Sequence, residues 1–307
     1  MIVDAHAHVF PDICGHVAAG PTRSLSYGRV RVGSKTVQFL PPLCEKTTHS
    51  AEMLIAHMDW GGVDKAVLLQ GPFYGDHNAY VAETAERFPD RVIAAAFFDP
   101  WQEGARDVLA GLLERRAYRA VKLECSEATG LCGLHPGRRL DDPDAAWLWE
   151  SLERHGLVLT LDLGPIGSSS YQTEAVRGIA ATHPGLRIVI AHLGQPAPNL
   201  GADPEQRRAW ENQIDLGLLP NVWFDMAALP AYFGEDGYPY RRSGRYVRTA
   251  IERIGAGKTL WGSDIPGLLT RATYAQLVEM AQAQLGFLST EERVGVLGLN
   301  ALRVYSD

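Results

Sequence analysis

Eight short apolar runs, seven of them followed by a stretch of helical periodicity, constrain this chain more than anything else in its sequence. The first begins at residue 2 and ends in His6-Ala7-His8. The others are Lys65–Gln70, Arg91–Phe98, Ala120–Glu124, Leu157–Asp162, Arg187–His192, Val222–Met226 and Thr259–Asp264. Helical periodicity follows near residues 50–60, 77–88, 103–116, 143–154, 172–182, 204–216 and 244–254, and helices fill the remainder. Buried strands separated by amphipathic helices are parallel strands with crossover connections. Eight such units close into a (β/α)₈ barrel, an α/β TIM-barrel fold that accommodates this length as one domain. An open doubly wound sheet is the competing arrangement, but no glycine-rich phosphate loop follows the first strand. The expectation is therefore one barrel domain spanning residues 1–307.

The first unit carries an insertion, about residues 12–48. Within it Tyr27–Leu40 alternates around Gly33-Ser34 and reads as a β-hairpin closed by Pro41-Pro42. A connection this long in a compact domain is expected to serve as a lid or a substrate wall. Composition narrows the partners. The apolar fraction is 46%, the charged fraction 21% and the net charge −7, with no basic run longer than a pair, which argues against nucleic acid. No stretch approaches membrane-spanning length and no targeting segment precedes the first strand, so no membrane partner and a cytoplasmic location are expected. Cys14, Cys44, Cys125 and Cys132 match no redox or zinc-ribbon spacing and are expected as thiols.

In such a barrel the active site lies at the carboxyl ends of the strands. Those ends carry His6 and His8 on the first, Asp99 just past the third, and Lys122 and Glu124 on the fourth. Asp162, His192, Asp225 and Asp264 follow on strands five to eight. Any one of these could cap a helix; their convergence on one mouth suits a divalent metal and its bound water. His6 and His8 share a strand face by alternation, with Asp4 on the same alternation. Two imidazoles side by side are the minimum hold on a metal such as zinc.

Three segments carry a resemblance: Val3-Asp4-Ala5-His6-Ala7-His8-Val9-Phe10-Pro11, Ile190-Ala191-His192-Leu193-Gly194 and Trp261-Gly262-Ser263-Asp264-Ile265-Pro266. In order and position they resemble the first, sixth and eighth strand signatures of the amidohydrolase superfamily. The match is to its amidohydrolase-related branch of hydrolases, lactonases and non-oxidative decarboxylases similar to aminocarboxymuconate-semialdehyde decarboxylase. The resemblance implies His6 and His8 as metal ligands and Asp264 as a ligand that also takes a proton from water. It implies His192 as a catalytic acid/base or second ligand. The family's strand-five histidine ligand is replaced here by Asp162, which shares the inward face with Val158 and Thr160; it is either a ligand, shifting preference from zinc toward manganese or magnesium, or an acceptor of a hydrogen bond from substrate or Lys122.

The cofactor expected is one divalent metal ion, zinc or alternatively manganese. Lys122 is either paired with Glu124 or a substrate anchor. Arg31, beside Arg29 on the hairpin, is either solvated or reaches a substrate carboxylate. The loop 230–243, with Tyr232, Phe233, Tyr238 and Tyr240, is a candidate lid. The expected activity is metal-dependent hydrolysis of a small-molecule lactone, amide or ester. Non-oxidative decarboxylation of a small carboxylic acid and a catalytically silent barrel are the alternatives. The hairpin must lean on the barrel mouth or on a second copy, which leaves a homodimer open.

Overall fold

The computed structural model describes residues 1–306 and contains twelve strands. Eight of them form the barrel: β1 (Val3–Ala7), β6 (Lys65–Leu68), β7 (Val92–Phe97), β8 (Tyr118–Glu124), β9 (Val158–Asp162), β10 (Ile188–Ile190), β11 (Val222–Asp225) and β12 (Thr259–Leu260). They pair in parallel in that order. Backbone bonds from Ala5 N–H to Trp261 O (2.9 Å), Asp264 N–H to His6 O (2.8 Å) and His8 N–H to Ile265 O (2.9 Å) close the ring. The helices fall where the apolar periodicity placed them, from Ala51–Gly61 to Ser243–Ile254.

Alternation sorts each strand between two cores. Outward residues such as Val121, Leu123, Leu159, Leu161, Ile188 and Phe224 pack against the helices. Inward residues Val67, Ile93, Ala95, Ala120, Val158, Val189 and Leu260 fill the barrel, and Tyr305 near the chain end plugs it from below. Most inward rows begin apolar and finish ionisable, as in Ala120, Lys122, Glu124 and in Val158, Thr160, Asp162. Register places Glu124 opposite Asp162.

β1 departs from simple alternation. Val3, Asp4 and Ala7 pair with Lys65, Ala66 and Leu68, so β1 carries one extra residue over this span. The bulge changes parity: Val3 and Ala5 face the barrel interior, and so do His6 and His8 beyond it. Asp4 is thereby excluded from the mouth. It is buried, accepts from Ser263 N–H (2.8 Å) and Tyr274 O–H (2.7 Å), and laces β1 to the segment after β12. Burial raises its carboxyl to about 6 against the opposing hydrogen bonds.

The insertion forms a second sheet of four antiparallel strands: β2 (His16–Val17), β3 (Gly20–Ser24), β4 (Arg29–Val32) and β5 (Lys35–Gln38). The last two are the expected hairpin. The first two lack an alternating apolar pattern; β3 is a strand by pairing with β4, and β2 by pairing with β3. Val30 is buried with Phe10, Ile13, Leu40 and Tyr74, so the sheet rests on the barrel's own mouth. Burying one such valine contributes about 2 kcal/mol. All four cysteines are free thiols, and no helix among the described residues is long and apolar enough to cross a membrane.

Candidate active site

The hydrogen bonds at the end of β1 dictate which ring nitrogens face the mouth. His6 Nδ1–H donates to Asp225 Oδ2 (3.0 Å), and His8 Nδ1–H donates to Leu69 O (2.7 Å). Each imidazole is thus held by its far side, leaving Nε2 as a lone pair. Burial lowers both rings, that of His6 furthest with help from the Lys122 charge, so they are neutral at pH 7. His8 Nε2 stands 3.1 Å from Asp264 Oδ1, and His6 Nε2 stands 3.8 Å from the same oxygen. These three acceptors lie within 4.8 Å of one another. Converging lone pairs call for a cation, and two imidazoles with one carboxylate suit a divalent metal with an open position. Asp225 behind His6 and the Leu69 carbonyl behind His8 supply the outer bonds that orient such ligands.

Asp264 is held in the left-handed region at φ +61. Burial opposes its ionisation, yet the charge of His192 holds its carboxyl below the usual carboxylate range. His192 lies just past β10 in a turn where residues 192–195 all have positive φ. Three of these are not glycine, and the strain is held by surrounding bonds. The backbone N–H of His192 donates to Asp225 Oδ1 (2.9 Å), and the Trp210 indole donates to Leu193 O (2.8 Å).

The turn aims His192 Nε2–H at Asp162 Oδ2 (3.1 Å). Burial would lower the imidazole, but the Asp162 charge and hydrogen bond outweigh it and push it up to about 9. His192 Nδ1 is buried without a partner.

Asp162 does face the mouth, but among the described residues it joins no group of three metal-donor atoms within 4.8 Å. Its oxygens are taken: Oδ2 by His192, and Oδ1 by the Gln195 amide (2.7 Å) and Gly164 N–H (3.1 Å). Lys122 is not ion-paired with Glu124; its amine donates to His6 Nε2 at 3.1 Å. A metal would have to displace it from that lone pair. Glu124 accepts from Ser126 N–H (2.9 Å) through one oxygen and leaves the other unpartnered. Burial, then the Asp162 charge, raises its carboxyl to about 7. Arg31 is exposed and pairs across the sheet with Arg23 and Thr36, while its neighbour Val32 faces the site. The structure does not bring Arg31 to the mouth.

The cavity above these groups is about 560 Å³. Val32, Val37, Phe39, Phe73 and Tyr74 form one wall, and Ser126, Thr129, Gln195 and Tyr232 face it. Tyr74 also stacks on His8 with ring centres 4.7 Å apart. Of the aromatic loop only Tyr232 lines the cavity. Phe233 is buried in the helix-packed core, where Tyr240 donates to Arg271 O. Asp225 and Gln195 had no assigned role in the sequence; the strand-seven carboxylate was visible there, but its partner was not.

A closed parallel barrel whose strand ends gather histidines and aspartates is the frame of a metal-assisted barrel enzyme. The chain belongs to the amidohydrolase family, whose sequence model matches residues 3–306. It is 24% identical over 250 residues to an L-fucono-1,5-lactonase of Burkholderia ambifaria, with 80% of each chain covered. Its fold is similar to a zinc-bound amidohydrolase of Burkholderia multivorans, with a TM-score of 0.72, 19% identity, and 100% and 99% of the two chains covered. It is also similar to 5-carboxyvanillate decarboxylase of Sphingomonas paucimobilis, with a TM-score of 0.56, 19% identity, and 82% and 81% covered.

Proposed function

We propose that this protein is a metal-dependent hydrolase that opens a neutral, hydroxylated lactone. The observation that carries the reading is the convergence of His6 Nε2, His8 Nε2 and Asp264 Oδ1, three lone-pair donors beneath a substrate-sized cavity. A divalent ion held by them would bring a bound water's pKa toward neutrality and polarise a carbonyl. Asp264, ionised at neutral pH, is placed to accept the proton of the attacking water. His192, kept protonated by Asp162, offers its unpartnered Nδ1–H to the leaving ring oxygen. The two carboxylates thus divide the work: one carries a proton away, and the other keeps a proton available.

The walls set the substrate's character. No arginine is among the described residues lining the cavity, His192 is engaged by Asp162, and Lys122, which a metal would displace from His6, stands beside the carboxylates of Glu124 and Asp162. A substrate carboxylate would have to compete with those two carboxylates for Lys122. The aromatic wall takes the apolar face of a ring, and Ser126, Thr129 and Gln195 face its hydroxyls. This favours a lactone of the kind named for the Burkholderia ambifaria relative. It weighs against a small aromatic or unsaturated carboxylic acid, the class that the decarboxylation alternative takes.

The test is a pH-stat screen of neutral aldonolactones alongside aromatic carboxylates, with carbon dioxide measured in parallel. Acid release from a lactone, lost on chelation and restored by zinc or manganese, is the expected result. Carbon dioxide evolved from an aromatic acid would replace this reading with the lyase alternative.

A further inference from the structure

A second cluster of metal-donor groups lies on the rim of the barrel mouth, away from the site above. Asp12 and Cys14 follow β1, and His77 immediately precedes the helix Asn78–Arg87 in the connection after β6. Cys14 Sγ is 4.0 Å from His77 Nε2, which is 3.8 Å from Asp12 Oδ1. The three donors fall within 4.8 Å of one another. His77 is largely buried, and Nε2–H donates to the Asp12 carbonyl at 2.9 Å, so the ring already points among the other two donors. Cys14 and Asp12 are exposed, so a metal ion can reach them from solvent.

We propose that Asp12, Cys14 and His77 form a second, thiolate-containing metal site for zinc or a similar borderline dication. Donors around a tetrahedral ion with Zn–S and Zn–N bonds of ordinary length stand roughly 3.3–3.7 Å apart, so the observed separations need to close by a few tenths of an ångström. A carboxylate, a thiolate and a neutral imidazole supply two negative charges, which balance the ion. On binding, Cys14 releases its proton to solvent, and the His77 ring proton moves to Nδ1 as Nε2 turns from the Asp12 carbonyl to the metal. Without a cation Cys14 stays a thiol, because burial and the Asp12 carboxylate push it up.

The site would act as a staple. Cys14 N–H bonds Tyr74 O (3.0 Å), and Tyr74 stacks on His8. A Cβ on Gly15 would meet Pro72 O at 1.9 Å, so the two segments already run in close contact. An ion joining Asp12 and Cys14 to His77 ties the root of the insertion to the connection that carries Phe73 and Tyr74. It therefore holds the aromatic wall of the cavity without touching substrate.

Cobalt(II) titration of the full-length protein tests this, because the catalytic site contains no sulfur. Saturation is expected to yield a thiolate-to-cobalt charge-transfer band of one thiolate per chain. The band should vanish in Cys14→Ser and persist in Cys44→Ser and in Asp264→Asn. His77→Gln should weaken the cobalt affinity read from the band by tenfold or more, which guards against a Cys14→Ser protein that fails to fold. Absence of the band at saturating cobalt, or its survival in Cys14→Ser, overturns the proposal.

Discussion

The amine of Lys122 lies 3.1 Å from His6 Nε2, on the one nitrogen of that ring left free by Asp225. Lys122 is 3% exposed, so its charge is poorly screened. A fixed positive charge beside a metal-facing lone pair opposes the arrival of a dication. At an effective dielectric of about 20, two unit charges about 4 Å apart interact by about 4 kcal/mol. Lys122→Met should therefore tighten zinc binding by about tenfold or more, since tenfold corresponds to about 1.4 kcal/mol. Competition against a chromophoric chelator measures this directly. Equal or weaker affinity in the variant would show that the amine does not oppose the metal.

Phe39 follows β5 and reaches the cavity beside Val32 and Val37. It contacts Phe73, with ring centres 5.1 Å apart, but remains half-buried. Phe39→Ala should raise KM by about tenfold through the loss of an apolar wall, at a stability cost of about 1–2 kcal/mol. Steady-state kinetics with urea melts separates the two effects. A cost above about 3 kcal/mol with unchanged KM would make the residue a packing element only.

The barrel was legible because every strand is an apolar run and most inward rows end in an ionisable group, a pattern that needs no knowledge of partners. The β1 bulge was not, since the extra residue exists only relative to β6, and simple alternation put Asp4 beside His6 and His8. Asp162 was correctly read as facing inward on β9, but several inward groups compete for each oxygen. Only distance shows that Gln195 and His192 occupy it. Gln195 itself was out of reach, because it enters through a left-handed turn that no periodicity announces. Arg31 is a parity outcome: the same alternation that aims Val32 at the cavity turns Arg31 to solvent.

Glu124 makes stability depend on pH in a definite direction. Its carboxyl is raised from 4.5 to about 7, mainly by burial and then by Asp162. The folded state thus binds this proton more tightly than the unfolded chain does. Between about pH 4.5 and 7 the native protein carries the extra proton, so this contribution to stability falls as pH rises through that window. Glu124→Gln removes the titration. Urea melts at steps from pH 5 to 8 should show the wild type losing stability relative to the variant, with the gap levelling above pH 7. Parallel curves would mean that Glu124 titrates near its ordinary value.

Asp162 and His192 form the pair whose charge the proposed reaction uses. The carboxylate's charge and hydrogen bond lift His192 to about 9, against a burial effect that alone would lower it. Asp162→Asn keeps the shape and a hydrogen-bonding group but removes the charge. Burial is then opposed only by the Asp264 and Asp225 charges, and the imidazole falls from about 9. The alkaline limb of kcat should move down by roughly one pH unit or more, with turnover at pH 8 falling accordingly. Zinc content after dialysis should stay unchanged, because both Asp162 oxygens are committed to protein donors and the three converging donors lie elsewhere. Loss of zinc with an unshifted pH profile would return Asp162 to the ligand set and leave His192 without its assigned partner.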